Sequence, residues 1–489
     1  MRGSSLRRAP RRAPYPAPRV ARWLAAGACA LAPLLPLAPL VPFMSLVPFS
    51  AAHAASAPAQ AGASGTAQAP SAQAAQAAQA AQAAHAAQAA QAACAWPDWN
   101  AFKHDLLSAD GRVIDASTSR QVTVSEGQSY ALFFALVAND RASFDKILTW
   151  TENNLAQGDL ATHLPAWIWG RTNIGEDGAA LPASGASGAP GASASAAASH
   201  VSGTPAPQPA WGVIDTHSAS DADLWIAYTL LEAGRLWNVR RYTALGMVMA
   251  RNVARQETAD LPGLGRTVLP GPVGFKLDKS AWRLNPSYVP LQLMRRFALA
   301  LQQTPEAPEW KALLASSTKL VNGTAPHGYA PDWVVYRVQS SGKGAFAPDE
   351  QTHAESAYNA IRVYLWAGML AHDDPARSAT LATFAPLSAF VAAHGFPPER
   401  VDTQSGTAGP NEGNGGFSAA VAPYLSALGR TDLADAQVAR SRTLAQKSPP
   451  GYYSSVLMLF GLGYMQGLYR FDAQGRVAPA WTTRCPAPR

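Results

Sequence analysis

Residues 218–227 read Ser218-Ala219-Ser220-Asp221-Ala222-Asp223-Leu224-Trp225-Ile226-Ala227 and continue through Leu230, Leu231 and Ala233 to Trp237. Ser220 and Asp223 have capping-box spacing, which predicts a helix from Ser220 to about Trp237. Asp221 and Asp223 lie on different sides of its first turn, so one of them can face a cleft. The same helical spacing of apolar residues recurs in Tyr130–Val137, Tyr242–Ala254, Val289–Leu301, Ala360–Leu370, Phe417–Leu428 and Ser454–Leu468. Alternating strand-like runs are few, and no fixed-period repeat is visible. The expectation is a large, mainly helical single domain with room for a short sheet or hairpins.

A second stretch of the same kind lies upstream. Ser125-Glu126-Gly127-Gln128-Ser129-Tyr130 directly precedes an apolar run, and Ser125 and Gln128 again have capping-box spacing. Glu126 therefore falls in a first helical turn, where the helix dipole favours the ionised carboxylate. If Glu126 acts as an acid, burial or a neighbouring carboxylate must hold its proton in place. Tryptophans gather beside loop residues, as in Pro165-Ala166-Trp167-Ile168-Trp169-Gly170, Trp211, Trp282 in Trp282-Arg283-Leu284-Asn285-Pro286-Ser287-Tyr288, and Trp333 after Asp332. Flat rings flanked by Asn, Arg and Asp suit sugars, which present apolar C–H faces and a rim of hydroxyls. Core packing is the competing role for each ring.

The whole chain has 489 residues, 48% hydrophobic and 15% charged, which excludes a wholly disordered or collagen-like protein. Its formal charge of +7 is matched by seven leader arginines, Arg2, Arg7, Arg8, Arg11, Arg12, Arg19 and Arg22. The remainder is neutral, so no electrostatic case for nucleic acid or an anionic membrane survives. Residues 1–55 run from Arg-rich to apolar to small, the order of a secretory signal, although the apolar part is long and broken by Pro33, Pro36, Pro39, Pro42 and Pro48. An uncleaved anchor and lipid attachment at Cys29 are the alternatives. Residues 56–93 form an Ala/Gln-rich linker, and a second low-complexity tract near 178–209 reads as a surface-loop insertion within a domain spanning 94–489. A periplasmic or secreted location follows, in which Cys94 and Cys485 can pair and tie the domain ends together, with two free thiols as the alternative.

Several chemistries are missing. There is no His-Glu-x-x-His pair, Walker loop, dinucleotide fingerprint or Gly-x-Ser-x-Gly elbow. No metal or cofactor is expected, and carboxylate acid–base chemistry on a neutral polymer remains. The residues themselves carry a resemblance. Ala219-Ser220-Asp221-Ala222-Asp223-x-x-Ile226-Ala227 is similar to the signature of glycoside hydrolase family 8, and Ser125 to Tyr130 to its acid motif. Cys94-Ala95-Trp96-Pro97, Gly111 to Asp115, Pro165 to Gly170, Asn285 to Tyr288, Pro331-Asp332-Trp333 and Ala360 to Tyr364 resemble the branch of that family associated with bacterial cellulose synthase.

The resemblance implies an (α/α)6 barrel of six inner and six outer helices around a cleft for β-1,4-glucan. It also implies hydrolysis with inversion, in which a protonated carboxyl and a water-activating carboxylate stand about 6.5–9.5 Å apart. By the same match Glu126 is the proton donor, Asp221 occupies the signature's catalytic position, and Asp221 or Asp223 holds and distorts the sugar. Trp167, Trp169, Trp282, Tyr288 and Arg362 are the expected substrate contacts. The implied partners are cellulose chains and the cellulose synthase export complex. One departure stands out: the family's base is an Asp in Tyr-Asp-Ala-Ile-Arg-Val, and this chain has Asn359 in Tyr358-Asn359-Ala360-Ile361-Arg362-Val363. A neutral amide cannot take the proton that attacking water loses. Asp349, Glu350, Glu355 and Glu412 are the alternative bases. A glucan-binding accessory protein with little turnover and a polysaccharide lyase are the competing functions.

Overall fold

The computed structural model describes residues 95–175 and 210–483. The leader, the linker, Cys94, Cys485 and the insertion lie outside the described residues. Thirteen α-helices follow in chain order: α1 Pro97–Leu106, α2 Ser125–Val137, α3 Arg141–Leu155, α4 Ser220–Leu236, α5 Arg240–Gln256, α6 Leu291–Ala300, α7 Ala307–Gly323, α8 Ile361–Gly368, α9 Arg377–Thr383, α10 Ala385–His394, α11 Gly415–Ala427, α12 Thr431–Lys447 and α13 Tyr452–Met465. Helix α2 packs on α4, α4 on α6, α8 on α11, α11 on α13, and α13 back on α2. The 3₁₀ turn Pro286–Tyr288 that precedes α6 packs on α8 and closes the ring. Outside it α3, α5, α7, α9 with α10, and α12 each follow their inner helix in sequence, and α1 packs on α13 as the sixth. The fold is an (α/α)6 barrel.

Position in the two layers explains the helix sequences. An inner helix is covered on all sides, so it is apolar around its circumference. In α2 every residue except Glu126 is buried, and α4 is buried from Ser220 to Gly234. An outer helix needs only one apolar stripe, as in α5, which buries Tyr242, Gly246, Met249, Ala250 and Val253. The seven periodic stretches read from sequence correspond to the six inner helices and α5. The other outer elements were not anticipated, because α12, for example, buries only Ala434, Gln437 and Ser441.

The inner ring is tight enough that glycine is required where backbones meet. A Cβ on Gly461 of α13 would lie 1.9 Å from the Ala419 carbonyl oxygen of α11, and one on Gly368 of α8 would lie 2.2 Å from Tyr424 N. Gly461→Ala is therefore expected to destabilise the protein by about 1–3 kcal/mol or more, because two helices must separate. Urea unfolding checks this, and an unchanged midpoint would refute the close contact.

Strands decorate the ends of the helices rather than forming a core sheet. The first sheet is β1 Thr123–Val124, β2 Ile168–Arg171 and β3 Trp211–Asp215, antiparallel in that order. A hairpin of β4 Thr258–Leu261 and β5 Gly265–Val268 follows α5, and β6 Ala281–Leu284, β7 Val334–Val338 and β8 Gly344–Pro348 make a second three-stranded sheet. Two smaller groups complete the set: β9 Glu355–Ser356 and β11 Thr407–Ala408 flank β10 Val401–Asp402, and β12 Tyr469–Phe471 pairs with β13 Val477–Pro479. The expected short sheet is thus several small ones. Strand β1 runs directly into α2, and β9 lies just before α8, so two of these groups abut inner-helix starts.

Candidate active site

The starts of α2, α4, α8 and α13 bring their side chains together around one guanidinium. Arg362, in the first turn of α8 and buried, donates through Nη1 to Glu126 Oε2, to the Tyr130 hydroxyl at 3.0 Å and to Asp221 Oδ2 at 3.2 Å. Its Nη2 donates to Asn359 Oδ1 at 2.7 Å. From α13 the Tyr452 hydroxyl donates to Glu126 Oε1 at 2.9 Å. Positive helix N-termini and a buried cation together hold carboxylates that burial alone would neutralise. Beside the polar layer Tyr130, Phe133, Trp225, Trp366 and Phe460 form one aromatic cluster, mostly edge-on or tilted, with Phe133 stacked on Phe460.

Glu126 owes its position to α2 and its loop. Ser125 does not cap the helix: the N-cap is Val124, and no side-chain cap bond forms. Gln128, its expected capping partner, is buried and accepts from Val113 N at 2.7 Å while donating to the Gly111 carbonyl and the Thr151 hydroxyl. It fastens the Gly111–Val113 loop to α2 and α3. Ser220 likewise is not the cap of α4, whose N-cap is Ala219. In both cases the chain enters the helix from extended backbone, and in α2 Gln128 serves tertiary contacts instead.

The chemistry divides unequally between the two Glu126 oxygens. Arg362 is a pure donor, so Oε2 must remain an acceptor, whereas a tyrosine hydroxyl can accept as well as donate. A transferable proton therefore belongs on Oε1. Asp221 is pushed up to about 6, chiefly by burial and further by Glu126, against the pull of Arg362. One nitrogen reaches both carboxyls, so Asp221 stands closer to Glu126 than the roughly 6.5–9.5 Å an inverting pair leaves for its water. Asp221 therefore does not stand at the distance of an opposing base from Glu126.

Asn359, at the position where the resemblance puts that base, lies on the same guanidinium. Asp332, pushed up to about 6 by burial, accepts from the amides of Ala357, Asn359 and Ala360 and fixes this turn. Arg362 and Asn285 both donate to Asn359 Oδ1, the latter at 3.2 Å, which settles the orientation of the amide. The group left free is the Nδ2 donor, so Asn359 cannot accept a proton from water. The four alternative bases do not join the cluster. Asp349 is buried in an ion pair with Arg283 at 2.9 Å, Glu355 pairs with Arg400, and Glu412 pairs with Arg440. Glu350 is exposed in the 3₁₀ turn Glu350–Thr352.

The remaining expected contacts are placed as follows. The Trp167 carbonyl accepts from Ser125 N at 2.9 Å, which sets Trp167 beside the first turn of α2. Trp169 stacks on Trp211 with centroids 5.4 Å apart, and the Arg112 guanidinium lies 4.5 Å from the Trp169 ring centre. Tyr288 is 5.6 Å from the Arg362 guanidinium. Trp282 is instead buried within the hydrophobic core. Asp223 is wholly buried and faces Glu257. Tyr452 and Glu257 were absent from the sequence reading. Tyr452 opens an apolar helix after Pro449-Pro450-Gly451, much as Glu126 does after Ser125, and that parallel is the signal that could have found it.

A ring of helix starts that gathers an acid, a second carboxyl and flanking aromatic rings defines a glycoside hydrolase of the toroidal class. A family model described as Glycosyl hydrolases family 8 matches residues 73–186 and 206–467. An endoglucanase of Escherichia coli (strain K12) is 42% identical over 394 residues, covering 80% of this chain and 93% of that protein. The crystal structure of an endo-1,4-D-glucanase from Vibrio fischeri ES114 superposes with a TM-score of 0.67 at 41% identity, over 80% of this chain and 100% of that one. The endo-beta-1,4-glucanase CMCax from Acetobacter xylinum gives 0.56 at 25%, over 76% and 96%. The chain belongs to glycosyl hydrolases family 8.

Proposed function

We propose that this chain is a secreted endo-β-1,4-glucanase that cuts cellulose chains as they are made and exported, working by inversion with Glu126 as the acid. The endoglucanase activity itself rests on the family and on relatives that carry that name over most of their length. The observation that carries the reading of the site is that Glu126, the one residue of α2 that is not buried, meets Tyr452 and Arg362, whose guanidinium also holds Asp221. A glucan lying across the inner-helix starts presents its bridging oxygen to Glu126 Oε1 and a ring hydroxyl to Asp221. Export with cellulose is supported by the leader and by the motifs shared with the cellulose-associated branch.

Carboxymethylcellulose and xylan, each incubated with the purified protein, test the substrate. The expected result is rapid loss of viscosity and new reducing ends on the first and little on the second. NMR of freshly cut cello-oligosaccharide should show the α-anomer first, because water attacks opposite the departing chain. A β-anomer would end the inverting assignment. Asn359 favours a second reading, a glucan-binding accessory protein with weak hydrolysis. Tight binding of cellohexaose without cleavage would support that reading.

A further inference from the structure

Beneath Asp221 lies a second pair of acids that the hydrolytic steps do not use. Asp223, in the first turn of α4, and Glu257, at the end of α5, are both fully buried and face each other. Ser218 Oγ donates to Glu257 Oε1 at 2.5 Å and its hydroxyl also acts on the Asp223 carboxyl, and among the described residues no further donor serves Glu257 Oε2 or either Asp223 oxygen. No cation among the described residues answers them. Arg255 on α5 turns to Asn252, Arg266 on β5 binds Asp260 and Glu309, and Arg362 is occupied by Glu126, Asp221 and Asn359. Asp221 is the charged group that acts on both.

Two buried carboxylates in contact cannot both be ionised without a large desolvation and repulsion cost. They are stable when one carries a proton that it donates to the other. That hydrogen bond joins the first turn of α4 to the end of α5, and the Ser218 contact adds the loop that leads into α4. Asp221 sits two residues before Asp223 on this clamped turn, and the clamp leaves its carboxyl directed at Arg362.

We propose that Asp223 and Glu257 are a proton-sharing pair of positioning residues that aims Asp221, and that loss of the shared proton sets the alkaline limit of activity. The proposal rests on Asp221 serving the glucan, and a protein that cuts no glucan at any pH defeats that reading first. Thermal melting tests the pair without reference to activity. Burial pushes both groups up, Glu257 adds to the rise at Asp223, and Asp221 adds to it at both. Their contribution to stability is therefore complete at low pH and is lost as pH rises from the usual carboxylate range through the raised folded values.

The experiment records kcat and melting temperature against pH for the wild type, Glu257→Gln and Asp223→Asn. An amide at either position donates permanently to the remaining carboxylate, so the melting curve should flatten in both variants. The alkaline limb of kcat should move up by about one pH unit or more, a tenfold change in proton affinity. A simple packing role would leave both pH curves where they are in the wild type. Unchanged limbs and curves in both variants overturn the proposal, and so does a wild-type melting temperature that stays flat from about pH 5 to pH 9.

Discussion

Glu126→Gln is expected to lower kcat on carboxymethylcellulose by about 10²–10⁴-fold, the usual contribution of a positioned general acid. The effect is chemical, because glutamine fits the same space. Its amide oxygen can accept from Arg362 as Oε2 does, and its amide nitrogen can donate to the Tyr452 oxygen once that hydroxyl rotates. Binding of cellohexaose, measured by calorimetry, should change little. A substrate whose leaving group needs no proton separates this loss from misfolding. On a dinitrophenyl cellobioside the variant should retain most of the wild-type rate, because the departing phenolate is stable without the acid. Equal activity of variant and wild type on the polysaccharide would remove Glu126 from the proton-donor role.

How far this site could be read without coordinates depends on what each signal encodes. The inner helices were legible because burial on all sides leaves long apolar runs, and the acids in their first turns were legible because a charge entering such a run needs a reason. Outer helices such as α12 bury too little to stand out. The capping boxes misled for a physical reason. Ser125, Gln128, Ser220 and Asp223 have the right spacing, but all four are buried: Gln128 turns to the Gly111–Val113 loop and Asp223 faces Glu257, so neither makes a local cap. Trp282 and Asp223, expected at the sugar, are both buried, since type and neighbourhood do not say which way a side chain turns. Glu257 lies 34 residues beyond Asp223, in the turn after α5, and nothing local to either residue marks their meeting. The convergence on Arg362 is equally non-local, since 236 positions separate it from Glu126.

Asn359→Asp is expected to raise kcat on carboxymethylcellulose, by up to about 10²–10⁴-fold where no other base is in use. The substitution is isosteric, and the pocket is prepared for it. The oxygen that now accepts from Arg362 Nη2 and Asn285 Nδ2 keeps both donors, and the backbone amide keeps Asp332. The second oxygen replaces the free Nδ2, turning the one group that cannot accept a proton into one that can. A third carboxyl then shares a single cation with Glu126 and Asp221, so some loss of thermal stability should accompany the gain as like charges crowd the site. Formate supplies the independent control. A small carboxylate that diffuses into the space should accelerate the wild type and leave the variant almost unaffected, because only the wild type lacks a built-in acceptor. If the substitution leaves kcat unchanged and formate has no effect, a carboxylate from another loop must swing in when glucan binds. Glu355 and Glu412 would then have to leave Arg400 and Arg440, ion pairs whose rupture would appear as a salt-dependent KM.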